Sequence, residues 1–163
     1  MDNLANLIRE EGLAWQRILV YCTEEVVRQR SAPEAVRWMI SAWIAALTLF
    51  EAHSPTVPIL NDPAVIASWG RLVEPAKNAH GFRTGHVRVG ARVCPVPEDV
   101  PRLMKEFCAG VYSMMPEEAY HQFELIHPFF DGNGRTGKIL LNWLKGTLLN
   151  PVMPPDFFGT ANP

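Results

Sequence analysis

A chain of 163 residues, 48% hydrophobic and 20% charged, has room for one domain with its own core and is too apolar to be disordered. Its net charge of −2 argues against nucleic acid as a bulk partner, leaving only a local basic patch to consider. Three scattered cysteines, no basic segment followed by an apolar run at the N-terminus, and an uncharged stretch (Trp38 to Phe50) shorter than the ~20 residues of a bilayer span argue for a reducing, cytoplasmic setting without a signal peptide or membrane role.

In chain order, Leu4 to about Arg30 sets Leu4, Leu7, Ile8, Trp15, Ile18, Leu19, Cys22 and Val26 at helical spacing, with Gly12 a point of bending. Pro33 fits the first turn of a second helix, in which Met39, Ile40, Trp43, Ile44 and Leu47 with intervening alanines predict a helix central to the core. That helix should run out at His53-Ser54, before Pro55. Asp62-Pro63 reads as an N-cap and first-turn proline of a third helix, which buries Val65, Ile66, Trp69, Leu72 and Val73 and ends before Pro75. From Phe82 to Cys94 the period changes to two. Val87, Val89 and Val93 alternate with His86, Arg88 and Arg92 about Gly90-Ala91, predicting a short β-hairpin whose apolar face lies on the helices. A helix from Glu98 to about Ser113 and another opened by Pro116 follow; the latter stops at His127 because Pro128 disfavours helical geometry before it. The proline-containing tail after Asn150, through Pro163, should be irregular. Trp15, Trp38, Trp43, Trp69 and Trp143 read as core. The expected fold is all-α: a single domain over 1–163 with one short hairpin.

The chemistry concentrates in His127-Pro-Phe-Phe-Asp131-Gly-Asn-Gly-Arg135-Thr-Gly-Lys138, at once followed by the helical pattern Ile139, Leu140, Leu141, Trp143, Leu144, Leu148. A glycine-rich loop that feeds a helix N-terminus presents unpaired N–H groups and partial positive charge, a cradle for phosphate. Arg135 and Lys138, three apart, add charge on one face of the first turn. Asp131 is a hard oxygen ligand suited to Mg²⁺, and His127 is a base near neutral pH. The residues therefore point to Mg²⁺-assisted phosphate chemistry with a histidine base. Gly132-x-x-x-x-Gly137-Lys138 partly matches a Walker A loop, but Ile139 stands where a hydroxyl should reach the metal, and a helix with Pro128 replaces the buried strand upstream.

The full string resembles the signature of the Fic (fido) family, HPFx[DE]GNGRxxR, and departs from it at one fixed position, Lys138, where the family has a second arginine. The stretch Ala119 to Ile126 resembles the helix that leads into that signature, and Gly81-Phe82-Arg83-Thr84 with the hairpin resembles the family's flap, so the likeness covers Gly81 to Leu149. The resemblance implies a Fic-like helical domain with a flap at about 82–94 and an active-site loop at 127–138. It implies transfer of AMP from ATP to a protein hydroxyl. By that resemblance His127 takes the proton of the target side chain, Asp131 holds Mg²⁺, Gly132, Asn133 and Gly134 form the anion hole, and Arg135 meets the outer phosphates. Phe129 is implied as a core anchor, and the flap as the surface on which a target protein docks by strand addition. The second arginine binds the γ-phosphate and, in self-inhibited members, pairs with an inhibitory glutamate. Lys138 keeps the charge and loses the planar fork. The inhibitory pattern [ST]xxxE[GN] is missing: Glu11-Gly12 has the right ending, but Leu7 stands where a hydroxyl is needed. Inhibition would then come from a separate, antitoxin-like chain or from another mechanism. Two alternatives stay open: transfer of phosphate or another phosphate-linked group, and a catalytically inactive regulatory protein that binds nucleotide or a partner. Glu124 either orients a neighbouring group or joins an exposed face, and Arg83, Arg88 and Arg92 read first as a solvated side of the hairpin.

Overall fold

The computed structural model describes residues 2–53 and 57–157, the first seven of them as backbone only. Ser54, Pro55 and Pro163 lie outside the described residues, as do the side chains of Leu4, Leu7 and Ile8. Within them run α1 (Asp2–Arg28), α2 (Ala35–His53), α3 (Pro63–Val73), β1 (Arg88–Val89), β2 (Arg92–Val93), α4 (Val100–Gly110), α5 (Pro116–Ile126) and α6 (Asn133–Lys145). The all-α class with a small hairpin is what the periodicities predict.

The local signals act as their chemistry suggests. The Asp62 carboxylate accepts from the Ala64 N–H at 2.9 Å and Pro63 takes the first turn of α3, so that helix starts where its cap permits. Pro101 and Pro116 likewise sit in first turns. Pro33 differs: it lies in a turn just before α2. α1 continues unbroken through Gly12.

α2 is long and apolar enough, by length and composition, to cross a membrane. Here it is the central core helix, packed on α1, α3 and α6 with Met39, Ala42, Trp43 and Ala46 fully buried. Trp43 also donates from Nε1 to the Leu148 carbonyl at 2.9 Å, which pins the segment just after α6 to the core. Trp69 and Trp143 join it, but Trp15 does not. Trp15 is 45% exposed and Leu19 51%, because α1 packs through the face of Ala14, Ile18, Cys22 and Val26 and turns these two outward. Leu72 is similarly exposed on α3.

The hairpin corrects a second expectation. Only two residues per strand pair, Arg88 with Val93 and Val89 with Arg92. Its valines are not buried: Val93 is 67% exposed and Val89 38%. Arginines fasten it instead. Arg92 donates to the carbonyls of Glu124 and Leu125 at the end of α5. Arg83, expected in solvent, is fully buried and donates to the carbonyls of His127, Gly85, Pro95 and Ile126. A guanidinium offers five donors, so one side chain satisfies several carbonyls that a helix end and a loop leave orphaned.

Candidate active site

α5 ends at His127, whose backbone is left-handed (φ +51°). Pro128 bars the right-handed region there, and the left-handed turn reverses the chain into the loop. A non-glycine residue held in that region stores backbone strain of about 1 kcal/mol or more, a cost that recurs at functional sites. Phe129 anchors the loop as expected of a core residue: it is fully buried, and its ring lies so close over Gly70 that a Cβ there would come within 2.2 Å of it. Asn133 then clamps the turn, accepting from the Phe129 N–H and donating to the Phe129 carbonyl, both at 2.9 Å. Gly132 caps α6 with φ +74°, and a Cβ there would also sit 2.7 Å from Val73. The N–H groups of Asn133, Gly134 and Arg135 are the orphan donors at the start of α6.

The first two of these, Asn133 and Gly134, open onto a cavity of about 920 Å³. His127, Asp131, Gly132, Asn133, Gly134 and Lys138 line it together, so the loop brings base, carboxylate and helix N-terminus to one space. The tail from Met153 to Phe157 forms one wall. Asn142 holds it by bonding both the N–H and the carbonyl of Val152, and Phe157 stacks on His121 with ring centroids 4.7 Å apart.

Arg135 is placed differently from the expectation. It is fully buried beneath the loop and does not line the cavity. Its guanidinium donates to Glu74 at 2.9 Å and to the Val73 carbonyl at 3.2 Å, and lies 3.5 Å from Asp131. In this conformation it braces the loop against α3, with Glu74 its fixed counter-charge. Asp131 itself is partly exposed and paired with Lys77, while its Oδ1 accepts from the Gly132 N–H at 2.6 Å. Burial raises the Asp131 pKa, but Lys77 and the Gly132 N–H outweigh it and hold the carboxyl below its usual range, so it is an anion. No group of three or more His, Cys, Asp or Glu that could hold a metal occurs among the described residues. A single hard carboxylate fits Mg²⁺ that arrives with substrate phosphates, since this ion uses one or two carboxylates and keeps its remaining positions for phosphate and water.

Lys138 meets an unforeseen partner. Its Nζ lies 2.5 Å from Oε1 of Glu25 on α1, and both side chains are buried. Burial lowers the Lys138 pKa, opposed by Glu25. Arg28 and Gln29 also bond Glu25, and the Gln29 amide packs against Gly134, 2.7 Å from where a Cβ would be. The end of α1 thus covers the start of α6. The sequence contained a signal for Glu25: it lies seven after Ile18 and three after Cys22, on the apolar stripe of α1.

Two neighbouring buried groups are shifted in opposite directions. Burial, then the charges of Arg92 and Arg83, push His127 down to about 4, so the ring is neutral at pH 7. Burial pushes Glu124 up to about 7 against the pull of Lys138 and Arg92. The raised carboxyl contributes stability that is full below pH 4.5 and is lost as pH rises through 7. The depressed imidazole contributes stability that is full above 6.5 and is lost as pH falls through 4. Between pH 4 and 7 the two run in opposite directions. Relative to the unmodified chain, Glu124→Gln should become more stable as pH rises over this window and His127→Ala less stable, read as urea midpoints; slopes of one sign in both variants would contradict these shifts.

Comparison with known proteins places the fold and the family. A profile of the Fic/DOC family matches residues 60–144. The chain belongs to the Fic/DOC family. Over 83 residues it is 39% identical to the protein adenylyltransferase Fic of Drosophila ananassae, covering 45% of this chain and 16% of that protein. It is 34% identical over 83 residues to the protein of the same name in Nematostella vectensis, covering 45% of this chain and 19% of that one. The chain spans less than a fifth of the length of these relatives. A Fic family protein from Desulfovibrio desulfuricans G20 shares the fold, with a TM-score of 0.56 at 18% identity over 88% of this chain and 51% of that one.

Proposed function

We propose that this chain transfers the AMP part of ATP to a hydroxyl side chain of a target protein, with His127 as the base. The observation that carries the reading is one cavity lined by the imidazole of His127, the Asp131 carboxylate and the N-terminus of α6. The names of the Drosophila and Nematostella relatives point to the same activity. In this reading the phosphates of ATP lie against the N–H groups of Asn133 and Gly134, donors already fixed before the reaction. The neutral His127 takes the proton of the target hydroxyl. Its oxygen bonds to the α-phosphorus, the bond from that phosphorus to the α,β-bridging oxygen breaks, and pyrophosphate leaves. Mg²⁺ at Asp131 would offset charge on the phosphate oxygens when bound with nucleotide. The target docks along the hairpin, a role supported by the exposed strand edges and by Val89 and Phe130 on the cavity rim. Three free cysteines support a reducing, cytoplasmic setting.

The test uses the purified chain with Mg²⁺, a cell extract and ATP labelled at the α- or the γ-phosphate. Label entering protein from α only, and dependent on His127, supports AMP transfer; label from γ only replaces it with phosphate transfer. Lys77 gives a second check. It is exposed and occupies Asp131, so Lys77→Ala should lower the Mg²⁺ concentration needed for ATP binding by up to about fivefold, the ~1 kcal/mol scale of an exposed ion pair. An unchanged Mg²⁺ midpoint in calorimetry would show that the pair does not compete with the metal.

The Glu25–Lys138 pair favours a further reading: the chain is restrained from within, and a separate antitoxin-like inhibitor is not needed to occupy Lys138. The support is that the cation expected to meet the γ-phosphate is buried against a carboxylate of α1.

A further inference from the structure

α5 carries three carboxylates, and they are treated differently. Glu117 and Glu118 lie in its first turn, while Glu124, in its last, is buried with 9% of its surface exposed. Missing side chains on α6 make its seat. A Cβ at Gly137 would come within 3.1 Å of Glu124 Oε1, and one at Gly134 within 3.9 Å. From that seat Oε2 lies 3.9 Å from Nδ1 of His127, with the two side chains 11% and 16% exposed. Oε1 of Glu124 and Nδ1 of His127 are both buried and without a hydrogen-bond partner. Trp69, Asn78, Arg135 and Thr136 also carry a buried polar atom without a partner, but Glu124 and His127 are the two among these whose side chains carry an acid and a base side by side, and that pairing calls for a reason.

The charges around the pair supply one. Glu124 is faced by Lys138 from α6, Arg92 from β2 and Glu25 from α1, with Tyr120 one turn back on α5. His127 is faced by Arg92, by Arg83 from the base of the hairpin and by Asp131 from the loop. Two guanidinium groups oppose the positive charge that a base must acquire, and Asp131 is already paired with Lys77. We propose that Glu124 is a positioning residue for His127: its carboxylate accepts the Nδ1–H, which leaves Nε2 free for the proton of the attacking hydroxyl and offsets the imidazolium charge as it forms. This deepens the proposed function and rests on His127 being the base. Catalytic hydrogen bonds are often long before substrate binds, and the 3.9 Å gap closes when nucleotide and target fill the cavity. A carboxylate that holds the far nitrogen of a histidine base selects the tautomer and stabilises the protonated ring. Activity then requires Glu124 ionised, so it should rise with pH through about 7, where burial places the carboxyl.

Two measurements test this. Long-range proton–nitrogen correlation spectra of the ¹⁵N-labelled chain report the tautomer of each histidine, with His127 identified by its loss in His127→Ala. The expected result is Nδ1 protonated and Nε2 bare at pH 8, where Glu124 is ionised; a ring protonated on Nε2 overturns the proposal without recourse to a Glu124 variant. Glu124→Gln keeps the volume and removes the charge. It should lower kcat about 10- to 100-fold, leave KM for ATP unchanged and abolish the rise through pH 7. Unchanged kcat and pH profile in Glu124→Gln, with transfer lost in His127→Ala, overturn the positioning role alone. Transfer that survives in His127→Ala removes the base, and the proposal falls with it.

Discussion

His127→Ala is expected to lower the rate of AMP transfer by about 10²- to 10⁴-fold while leaving the chain folded and able to bind ATP. The cause is where the ring sits. It lines the cavity beside the N-terminus of α6, and burial with two nearby guanidinium groups keeps it neutral at the pH where a base is needed. Its ring makes no hydrogen bond through Nδ1, so its removal leaves no partner unpaired. The fold does depend on its backbone: the carbonyl accepts from Arg83 and the N–H donates to Phe123, and alanine keeps both. The phosphate cradle is backbone as well and is untouched. The check is initial rate with α-labelled ATP against ATP affinity by calorimetry. Loss of ATP binding along with activity would make His127 a structural residue.

Glu25→Gln is expected to do two opposite things. It leaves Lys138 buried without its counter-charge, a change that costs about 3–5 kcal/mol and, at this chain length, a fall in Tm of about 10 °C or more. It also frees the end of α1 from the start of α6, since Arg28 and Gln29 are held there through the same carboxylate. Lys138 then turns to the cavity it already lines, and transfer activity should rise by about tenfold or more, since each ~1.4 kcal/mol of restraint removed is a factor of ten in rate. Thermal melts and labelled transfer on the same preparation read both effects. A fall in Tm with activity unchanged or reduced would show that the pair serves the fold alone and that Lys138 does not meet phosphate.

The elements near the site were largely legible. Asp62-Pro63, Pro116 and Pro128 act through bonds to their own neighbours, so α3 began, α5 began and α5 ended where local chemistry put them. The loop from His127 to Lys138 was legible for the same reason: a run of glycines before a helical pattern defines a helix N-terminus wherever it lies in space. Residue roles that depend on contacts from afar were not. Arg83 looked like a hairpin charge and is a buried clamp, because two of the carbonyls it satisfies lie more than 40 residues away at the end of α5. Trp15 looked like core and is exposed, because the face that α1 buries is set by what packs on it.

By itself the sequence determined the helical class, the hairpin, the family signature and the set of reactive groups, all of which rest on interactions within a few residues. Only the tertiary structure decided their partners. It set Glu25 on Lys138 across 113 positions and Glu74 on Arg135 across 61. It also seated Glu124 beside His127 by bringing α5 against the glycines of α6. A charge in a chain has no fixed partner until packing removes it from water. Once it is buried, pairing becomes obligatory, and the packing of α3 and α5 on α6, with Glu25 of α1 reaching across to Lys138, determined which carboxylate each cation met.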